Sequence, residues 1–236
     1  MRSITFSLNI AGRLRYQLLR LQAHQCSYFV ENKFDFFSVT TPTPRILHCQ
    51  LNRPAKLNAM TLESWRQVQC HKPVISAIHG ACVGGAVDLV AATDIRFCSS
   101  DAWFQVKETE LGFTADIGTL QLLPAAIGSD SLARELILTG RRFYAEEAFR
   151  VGFVSRVLDS PEATLAAALS TAKKVAENSP VAVQTAKANL LYSRNRSFEE
   201  GLRHIADLNQ VMLQSPDIKL AVAAALQKNK PEFPDA

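Results

Sequence analysis

The sequence predicts an α/β fold that ends in a purely helical part. Short apolar runs with strand character, such as Val74–Ile78 and residues 95–98, alternate with segments of helical periodicity, such as Asp130–Thr139. From Pro180 onward, apolar residues recur only at helical spacing. Strands that alternate with helices are typical of an α/β core, and the strand-free tail predicts a C-terminal helical region.

The predicted elements follow one another from residue 45 to residue 229. The first strand, residues 45–51, ends before Pro54, which interrupts regular structure. Thr61 is a predicted N-cap, because its hydroxyl precedes a short segment with apolar residues at helical spacing. The further predicted elements are strands at 73–78, 95–98 and 141–143, and helices at 85–92, 116–127, 130–139, 145–151, 164–178, 181–192, 197–213 and 216–229.

The composition is that of one globular domain and argues against several classes of protein. The chain has 236 residues, of which 47% are hydrophobic and 20% charged, and a net charge of +4. No basic cluster is interleaved with aromatic residues, so we expect no nucleic-acid partner. The five cysteines lack metal-ligand spacing, which predicts reduced thiols and no metal. Residues 73–93 are long enough to span a membrane, but His79 and Asp88 interrupt them, so no membrane span is predicted.

The N-terminal segment has a composition of its own. Arginines stand at positions 2, 13, 15 and 20, and no acidic residue precedes Glu31. This pattern predicts a mitochondrial transit peptide; the alternative is a basic tail without a targeting role. The C-terminal residues are not an SKL-type signal, so the mitochondrial matrix is favoured over the peroxisome. We therefore divide the chain into an N-terminal segment (1–40), an α/β core (41–179) and a helical region (180–236).

Residues 71–118 carry the pattern that predicts chemistry. An apolar strand runs into a glycine turn at Gly84 and Gly85, where a helix begins, and a second strand then leads to a loop. The N–H groups at a helix start are free to bind developing negative charge. Three acids, Asp88, Glu108 and Asp116, accompany them. Donors for an oxyanion beside carboxylates that move protons are suited to the enolate chemistry of acyl thioesters.

These residues resemble one known family. The run AIHGACVGGAVDL, followed by ATDIRFCSSDAWFQVKETELGFTADIG, resembles the crotonase (enoyl-CoA hydratase/isomerase) family, and the resemblance covers about residues 45–233. It implies a crotonase (ClpP-like) fold with a core of ββα units and a C-terminal helical part. It also implies that the C-terminal helices pack on neighbouring subunits, in trimers that pair into hexamers; a tail folded on its own core is the alternative.

The resemblance also indicates an internal gap between Cys70 and His71. Family members carry there a core strand and the loop that provides the first of two oxyanion-hole N–H groups and part of the CoA site. We therefore expect a truncated core whose sheet lacks central strands and exposes unpaired edges. Loss of one oxyanion donor typically lowers turnover by about 100- to 1,000-fold.

The acids match the family members that isomerise 3,5-dienoyl-CoA to 2,4-dienoyl-CoA in fatty-acid β-oxidation. The resemblance implies that the Gly85 N–H binds the thioester oxyanion, that Glu108 removes the C2 proton, that Asp116 protonates C6, and that Asp88 tunes both; the roles of the two proton-transferring acids are open to exchange. An apolar pocket and crowded like charges are expected to raise the pKa of at least one carboxyl group.

Four further residues are implied in substrate binding. Lys56 and Leu57 resemble residues that contact the CoA nucleotide, Phe113 lines the acyl pocket, and Lys228 resembles a lysine that reaches a neighbour's CoA. Both lysines are equally well explained as solvated surface charges. No cofactor is expected, since the substrate itself carries coenzyme A. We expect His79 to be a packed histidine and Glu110 to face away from Glu108 if that segment is extended.

Two alternatives to the isomerase stay open. A non-catalytic relative that binds acyl-CoA is favoured by the internal gap. An enoyl-CoA hydratase would use Glu108 and the acid at position 88, but would leave Asp116 without a role.

Overall fold

The computed structural model describes residues 5–9, 37–56, 58 and 70–234. Elements within these ranges are numbered in chain order. The strands are β1 (Thr5–Asn9), β2 (Phe37–Thr43), β3 (Ile46–Leu51), β4 (Val74–Ile78), β5 (Ala81–Val83), β6 (Ile95–Ser99), β7 (Trp103–Gln105), β8 (Phe143–Tyr144) and β9 (Arg156–Leu158). The helices are α1 (Gly85–Ala91), α2 (Thr119–Ala126), α3 (Asp130–Thr139), α4 (Ala145–Arg150), α5 (Pro161–Ala176), α6 (Pro180–Ser193), α7 (Phe198–Met212) and α8 (Pro216–Leu226).

Two sheets build the α/β core. The larger sheet has the order β2-β3-β1-β4-β6-β9, and the smaller one has the order β5-β7-β8. Strands β4, β6 and β9 run parallel to one another, whereas β1 is antiparallel to both of its neighbours, β3 and β4. Since β4 leads into β5 and β5 into α1, the chain passes from the large sheet to the small one where the predicted site begins.

Different groups of residues pack against the two faces of the large sheet. Helix α5 packs across β1, β3, β4, β6 and β9, and its buried residues Ala168, Ala172 and Ala176 recur every four residues, so that they lie on one side of the helix. Their small side chains let the helix approach the sheet closely. A larger core contains Phe104, Phe143 and Phe153, whose ring centroids lie 5.1–5.7 Å apart.

An ion pair between a buried lysine and a partly exposed aspartate attaches the helical region to the core. The Nζ of Lys187, on α6, lies 2.7 Å from the Oδ2 of Asp94 and donates to the backbone carbonyl of Lys72, also at 2.7 Å. The same Asp94 oxygen accepts the N–H of Val74, at the start of β4. Because one carboxylate oxygen serves both the helix and the strand, α6 is held at the entry of β4.

The last two helices extend beyond this attachment. Helix α7 begins with a capping box between Ser197 and Glu200 and packs against α6. The chain then returns to the core, where Phe233 is buried and its carbonyl accepts a hydrogen bond from Arg45 at 2.9 Å. Several large apolar side chains on α7, on α8 and just after α7 are exposed: Phe198, Leu202, Val211, Leu213, Ile218, Leu220, Val222 and Leu226.

The structure corrects several of the sequence-based expectations. The helix predicted from Asp116 begins only at Thr119, because Gly118, with φ of 139°, precedes its first turn. Strands β1 and β2 were not predicted, and neither were β5, β7 and β9, which have three residues each. The prediction of unpaired central edges is wrong, because β1 lies between β3 and β4 and pairs with both.

Two other expectations fall wholly or partly outside the described residues. The helix with Thr61 as its N-cap lies there, and so does most of the 1–40 segment, of which the structure describes 5–9 and 37–40. The targeting role of that segment stays a prediction. None of the helices in the described ranges is both long and apolar enough to cross a membrane.

We expect Lys187→Ala to lower the free energy of unfolding by about 1–2 kcal/mol, because it removes the ammonium group that joins the partly exposed Asp94 carboxylate to the Lys72 carbonyl. Lys219→Ala, at an exposed position on α8, is the matched control and should change it by less than about 0.5 kcal/mol. Urea unfolding of both variants measures the difference. Equal and small losses of unfolding free energy in the two variants would show that the ion pair does not hold α6.

Candidate active site

The start of α1 provides a set of backbone donors. The chain leaves β5 at Gly84, whose φ of 57° and ψ of −129° are readily adopted only by glycine. The Gly84 N–H donates to the carbonyl of Gln105 at 2.9 Å, which fixes the turn against β7. The next two N–H groups, of Gly85 and Ala86, have no acceptor among the described residues, and both residues are partly accessible. Unpaired N–H groups at a helix start are able to bind negative charge.

Glu108 lies against this turn. It begins a 3₁₀-helix, Glu108–Leu111, shortly after β7, and only 6% of the residue is exposed. A Cβ placed on Gly84 would stand 2.9 Å from the Glu108 Oε1, so the absence of a side chain at Gly84 makes room for the carboxylate. The other oxygen, Oε2, is buried and accepts no hydrogen bond within the part of the chain that the structure describes. A buried carboxylate oxygen without a donor is available to accept a proton.

Asp88 joins α1 to the start of α2. The residue is 2% exposed, and its Oδ1 accepts the backbone N–H of Thr119 at 2.7 Å. Position 118, the N-cap of α2, is a glycine and cannot supply this acceptor itself. Asp88 therefore caps α2 from another helix. The Thr119 hydroxyl is buried beside this bond and has no partner among the described residues.

Asp116 and Phe113 lie in the exposed loop that connects the 3₁₀-helix to α2. Glycines with positive φ stand at both ends of the loop, Gly112 at 84° and Gly118 at 139°. Phe113 is 53% exposed, and Leu111 and Ile117 are also exposed. An accessible carboxylate among exposed apolar side chains is suited to an acyl chain that carries a reacting carbon.

The three acids interact electrostatically. Burial raises the pKa of Glu108, and the negative charges of Asp88 and Asp116 raise it further, while backbone hydrogen bonds at Lys107 and Glu108 act in the opposite direction. The sequence led us to expect a raised carboxyl pKa from these two causes, and Glu108 is the group that has one. A carboxyl group with a raised pKa is a stronger base when ionised and a more available acid when protonated.

A polar cluster that the sequence analysis missed holds the 3₁₀-helix in place. The buried amide of Gln105 donates to the Glu110 Oε1 and to the Gly140 carbonyl, both at 2.8 Å. Lys107 pairs with the other Glu110 oxygen. The predicted extended segment at Glu108 and Glu110 is wrong, since both residues belong to the 3₁₀-helix. No sequence motif marks Gln105, because its importance comes from burial between two loops.

The lysines that were predicted to bind CoA are both exposed. Lys56 is exposed at the end of a 3₁₀-helix, Pro54–Lys56, and Lys228 is exposed after α8 with φ of 55°. Leu57 lies outside the described residues. Burial lowers the pKa of His79, which fits a packed histidine. The roles of these lysines and of Leu57 in CoA binding stay predictions.

The geometry defines a class of site: backbone N–H donors at a helix start, with carboxylates nearby. Comparison with known proteins agrees with this class. The model of the Enoyl-CoA hydratase/isomerase family matches residues 45–236. The chain therefore belongs to the enoyl-CoA hydratase/isomerase, or crotonase, family, as the motif at residues 77–118 indicated.

Individual relatives support the same assignment. The chain is 37% identical to the mitochondrial Delta(3,5)-Delta(2,4)-dienoyl-CoA isomerase of Pongo abelii, over 85% of this chain and 82% of the relative. It is 47% identical to the peroxisomal Delta(3,5)-Delta(2,4)-dienoyl-CoA isomerase of Arabidopsis thaliana, over 78% of this chain and 65% of the relative. The crystal structure of the enoyl-CoA hydratase EchA1 from Mycobacterium marinum superposes with a TM-score of 0.67 at 31% identity, over 71% of this chain and 68% of that one.

The alignment with the Pongo abelii isomerase also agrees with an internal gap. It extends over 268 positions but includes 85% of 236 residues, about 201, so about 67 aligned positions hold no residue of this chain. This chain is therefore shorter than its relative within the matched region.

We expect the stability of the protein to depend on the ionisation of Glu108. Because the folded-state pKa of Glu108 is raised, its stabilising contribution is complete below the ordinary carboxyl pKa and is lost as the pH rises through the raised value. Glu108→Gln should remove this loss of stability with rising pH. The melting temperature of the variant should therefore fall less than that of the wild type between pH 4 and pH 8. Calorimetric melting at several pH values measures this, with Glu146→Gln on the exposed side of α4 as the control. Parallel pH profiles of wild type and Glu108→Gln would contradict the assignment.

Proposed function

We propose that this chain isomerises 3,5-dienoyl-CoA to 2,4-dienoyl-CoA in fatty-acid β-oxidation. The observation that carries the proposal is the third acid: Asp116 lies in the exposed apolar loop, which runs from the 3₁₀-helix of the buried Glu108 to the start of α2, where Asp88 binds the Thr119 N–H. A hydratase would need no carboxylate at that loop position. The two relatives named as dienoyl-CoA isomerases support the same reaction.

The reaction moves one proton and leaves the carbon count unchanged. Glu108 takes the proton from C2, and the electrons of that bond pass into a dienolate whose negative charge lies largely on the thioester oxygen. The Gly85 N–H stabilises this oxygen. Asp116, protonated before this step, delivers its proton to C6, the carbonyl forms again, and the double bonds then lie at C2 and C4. Glu108 afterwards releases its proton to water and Asp116 takes one up, which restores both acids. Asp88 keeps the charge around Glu108 negative and fixes the start of α2 after the Asp116 loop.

The assignment of Glu108 to C2 follows from its position. Its carboxylate lies against Gly84, one residue before the proposed oxyanion donor, and C2 is bonded to the carbonyl carbon that this donor would serve. Asp116 lies farther along the chain, in the loop with Phe113, where the acyl chain would extend. This order favours Glu108 at C2 and Asp116 at C6 over the exchanged roles.

We propose further that activity is reduced, because the family's first oxyanion donor belongs to the segment that this chain lacks. Loss of one donor costs about 100- to 1,000-fold in turnover. Lys56, Leu57 and Lys228 are proposed to contact the CoA group and Phe113 the acyl chain. Beyond the coenzyme A of the substrate, the proposed reaction uses no cofactor.

The exposed apolar side chains of α7 and α8 support a homo-oligomer, which we propose to be a trimer or hexamer. Large apolar side chains that are exposed in one part of the chain are typical of subunit interfaces. We also propose a mitochondrial location. The Pongo abelii relative is mitochondrial, although the plant relative is peroxisomal.

A second candidate, a non-catalytic acyl-CoA-binding protein, is favoured by one observation. The chain lacks about 67 positions of its dienoyl-CoA isomerase relative, and such a loss can remove turnover while leaving the acyl site. The loop with Phe113 and Asp116 would then bind the acyl chain without reaction.

Isomerase activity on purified protein tests the proposal. With 3,5-octadienoyl-CoA, we expect the conjugated 2,4-diene to form, as measured by ultraviolet absorbance. Asp116→Asn should lower this rate by at least about 100-fold, since it removes a proton-transferring group. Asp207→Asn, at an exposed position on α7, should stay within about twofold of the wild type.

The other outcomes separate the candidates. Equal rates for wild type and Asp116→Asn would contradict the proposed role of Asp116. Saturable binding of the substrate by calorimetry without turnover would favour the acyl-CoA-binding protein. Addition of water to a 2-enoyl-CoA, unaffected by Asp116→Asn, would instead indicate a hydratase.

A further inference from the structure

The position of β1 is unusual for an N-terminal segment that resembles a transit peptide. Thr5–Asn9 lies in the interior of the large sheet, third in an order of six strands. Its Cα positions are in register with all of Ile46–Gln50 on one side and with Val74–Ala77 on the other. The segment therefore pairs along both edges over almost its whole length, as a permanent central strand does.

The two flanking strands form a slot for one more strand. Since β3 and β4 are each antiparallel to β1, they run parallel to each other. A gap of two strand spacings separates them, about 9.6 Å, which a single extended chain fills. Without a strand in this slot, β3 and β4 would each present a row of unpaired N–H and C=O groups inside the sheet.

The slot lies within the core and not at its surface. Every residue of β4 is buried, and so are four of the six residues of β3. Helix α5 packs across β1 as well as across β3, β4 and β6, so it covers the slot on one face. Unpaired backbone groups here would be screened from water and would therefore destabilise the sheet.

We propose that the gap between β3 and β4 is a strand-acceptor site and that its occupant is the chain's own segment Thr5–Asn9. The sequence TFSLN alternates polar and apolar residues, a pattern typical of a strand. The segment completes the sheet at the position that the sequence analysis expected to be unfilled. The folded protein thus retains these residues, and their removal would uncover two buried strand edges. This inference concerns the sheet and stands apart from the proposed isomerase activity.

Hydrogen–deuterium exchange of the full chain, read by mass spectrometry on peptic fragments, tests the proposal. Amides of residues 5–9 should exchange at least about 100-fold more slowly than in the unfolded chain, as expected for a central strand. Fragments that contain β4 serve as the internal reference. Fast exchange of the amides of residues 5–9 would overturn the proposal. This holds whether the β4 amides are protected or also exchange fast.

A proline variant provides the second readout. Ser7→Pro removes one backbone donor from the middle of β1, and proline is excluded from central strands. We expect Ser7→Pro to increase the rate of amide exchange in β3 and β4 at least tenfold. Ala11→Pro, at a position after the last residue of β1, should leave the exchange rates of β3 and β4 unchanged. Equal exchange of β3 and β4 in wild type and Ser7→Pro would show that nothing depends on the strand. Since the wild-type measurement requires no variant to fold, the test does not depend on the stability of Ser7→Pro.

Discussion

The close approach of Glu108 to Gly84 is the contact on which the candidate site depends. The carboxylate oxygen occupies space that any side chain at position 84 would take, and the positive φ at Gly84 turns the chain into α1. One glycine therefore does two things: it lets the helix begin with free N–H groups, and it admits the acid beside them. Because the same contact buries Glu108, it also contributes to the raised pKa of that carboxyl group.

The other parts of the site are held relative to this contact. Gln105 accepts the Gly84 N–H through its carbonyl and, through its side chain, holds Glu110 in the 3₁₀-helix that begins with Glu108. Asp88 extends from α1 to the first N–H of α2 and so fixes the far end of the loop that carries Asp116. The acids therefore come from three segments that share hydrogen bonds, and we expect their positions to be coupled.

Much of this arrangement could be predicted from the sequence, for reasons that are specific to each residue. The glycine turn and the acids at positions 88, 108 and 116 lie within one continuous stretch, and this stretch identified both the family and the candidate site. Strands such as β5 were not predictable, since three residues are too few to show a period. The role of Gln105 and the capping of α2 by Asp88 could not be predicted either, because each depends on a partner at least 31 residues away in the chain. The pairing of β1 could not be foreseen either, since the basic residues that follow it favour a targeting segment.

The most direct test of this account is the titration of Glu108 by NMR in Gly84→Ala, compared with Gly128→Ala, where an added Cβ meets no atom within 4 Å and φ is not positive. We expect the Gly84 variant to displace the Glu108 carboxylate toward water, so that its pKa moves back toward the ordinary carboxyl value. The strained backbone should also lower the free energy of unfolding by about 1–3 kcal/mol. The Gly128 variant should leave the titration unchanged. A Gly84→Ala protein that loses stability but titrates like the wild type would show that Gly84 serves only the backbone turn, and would contradict the central role of this contact.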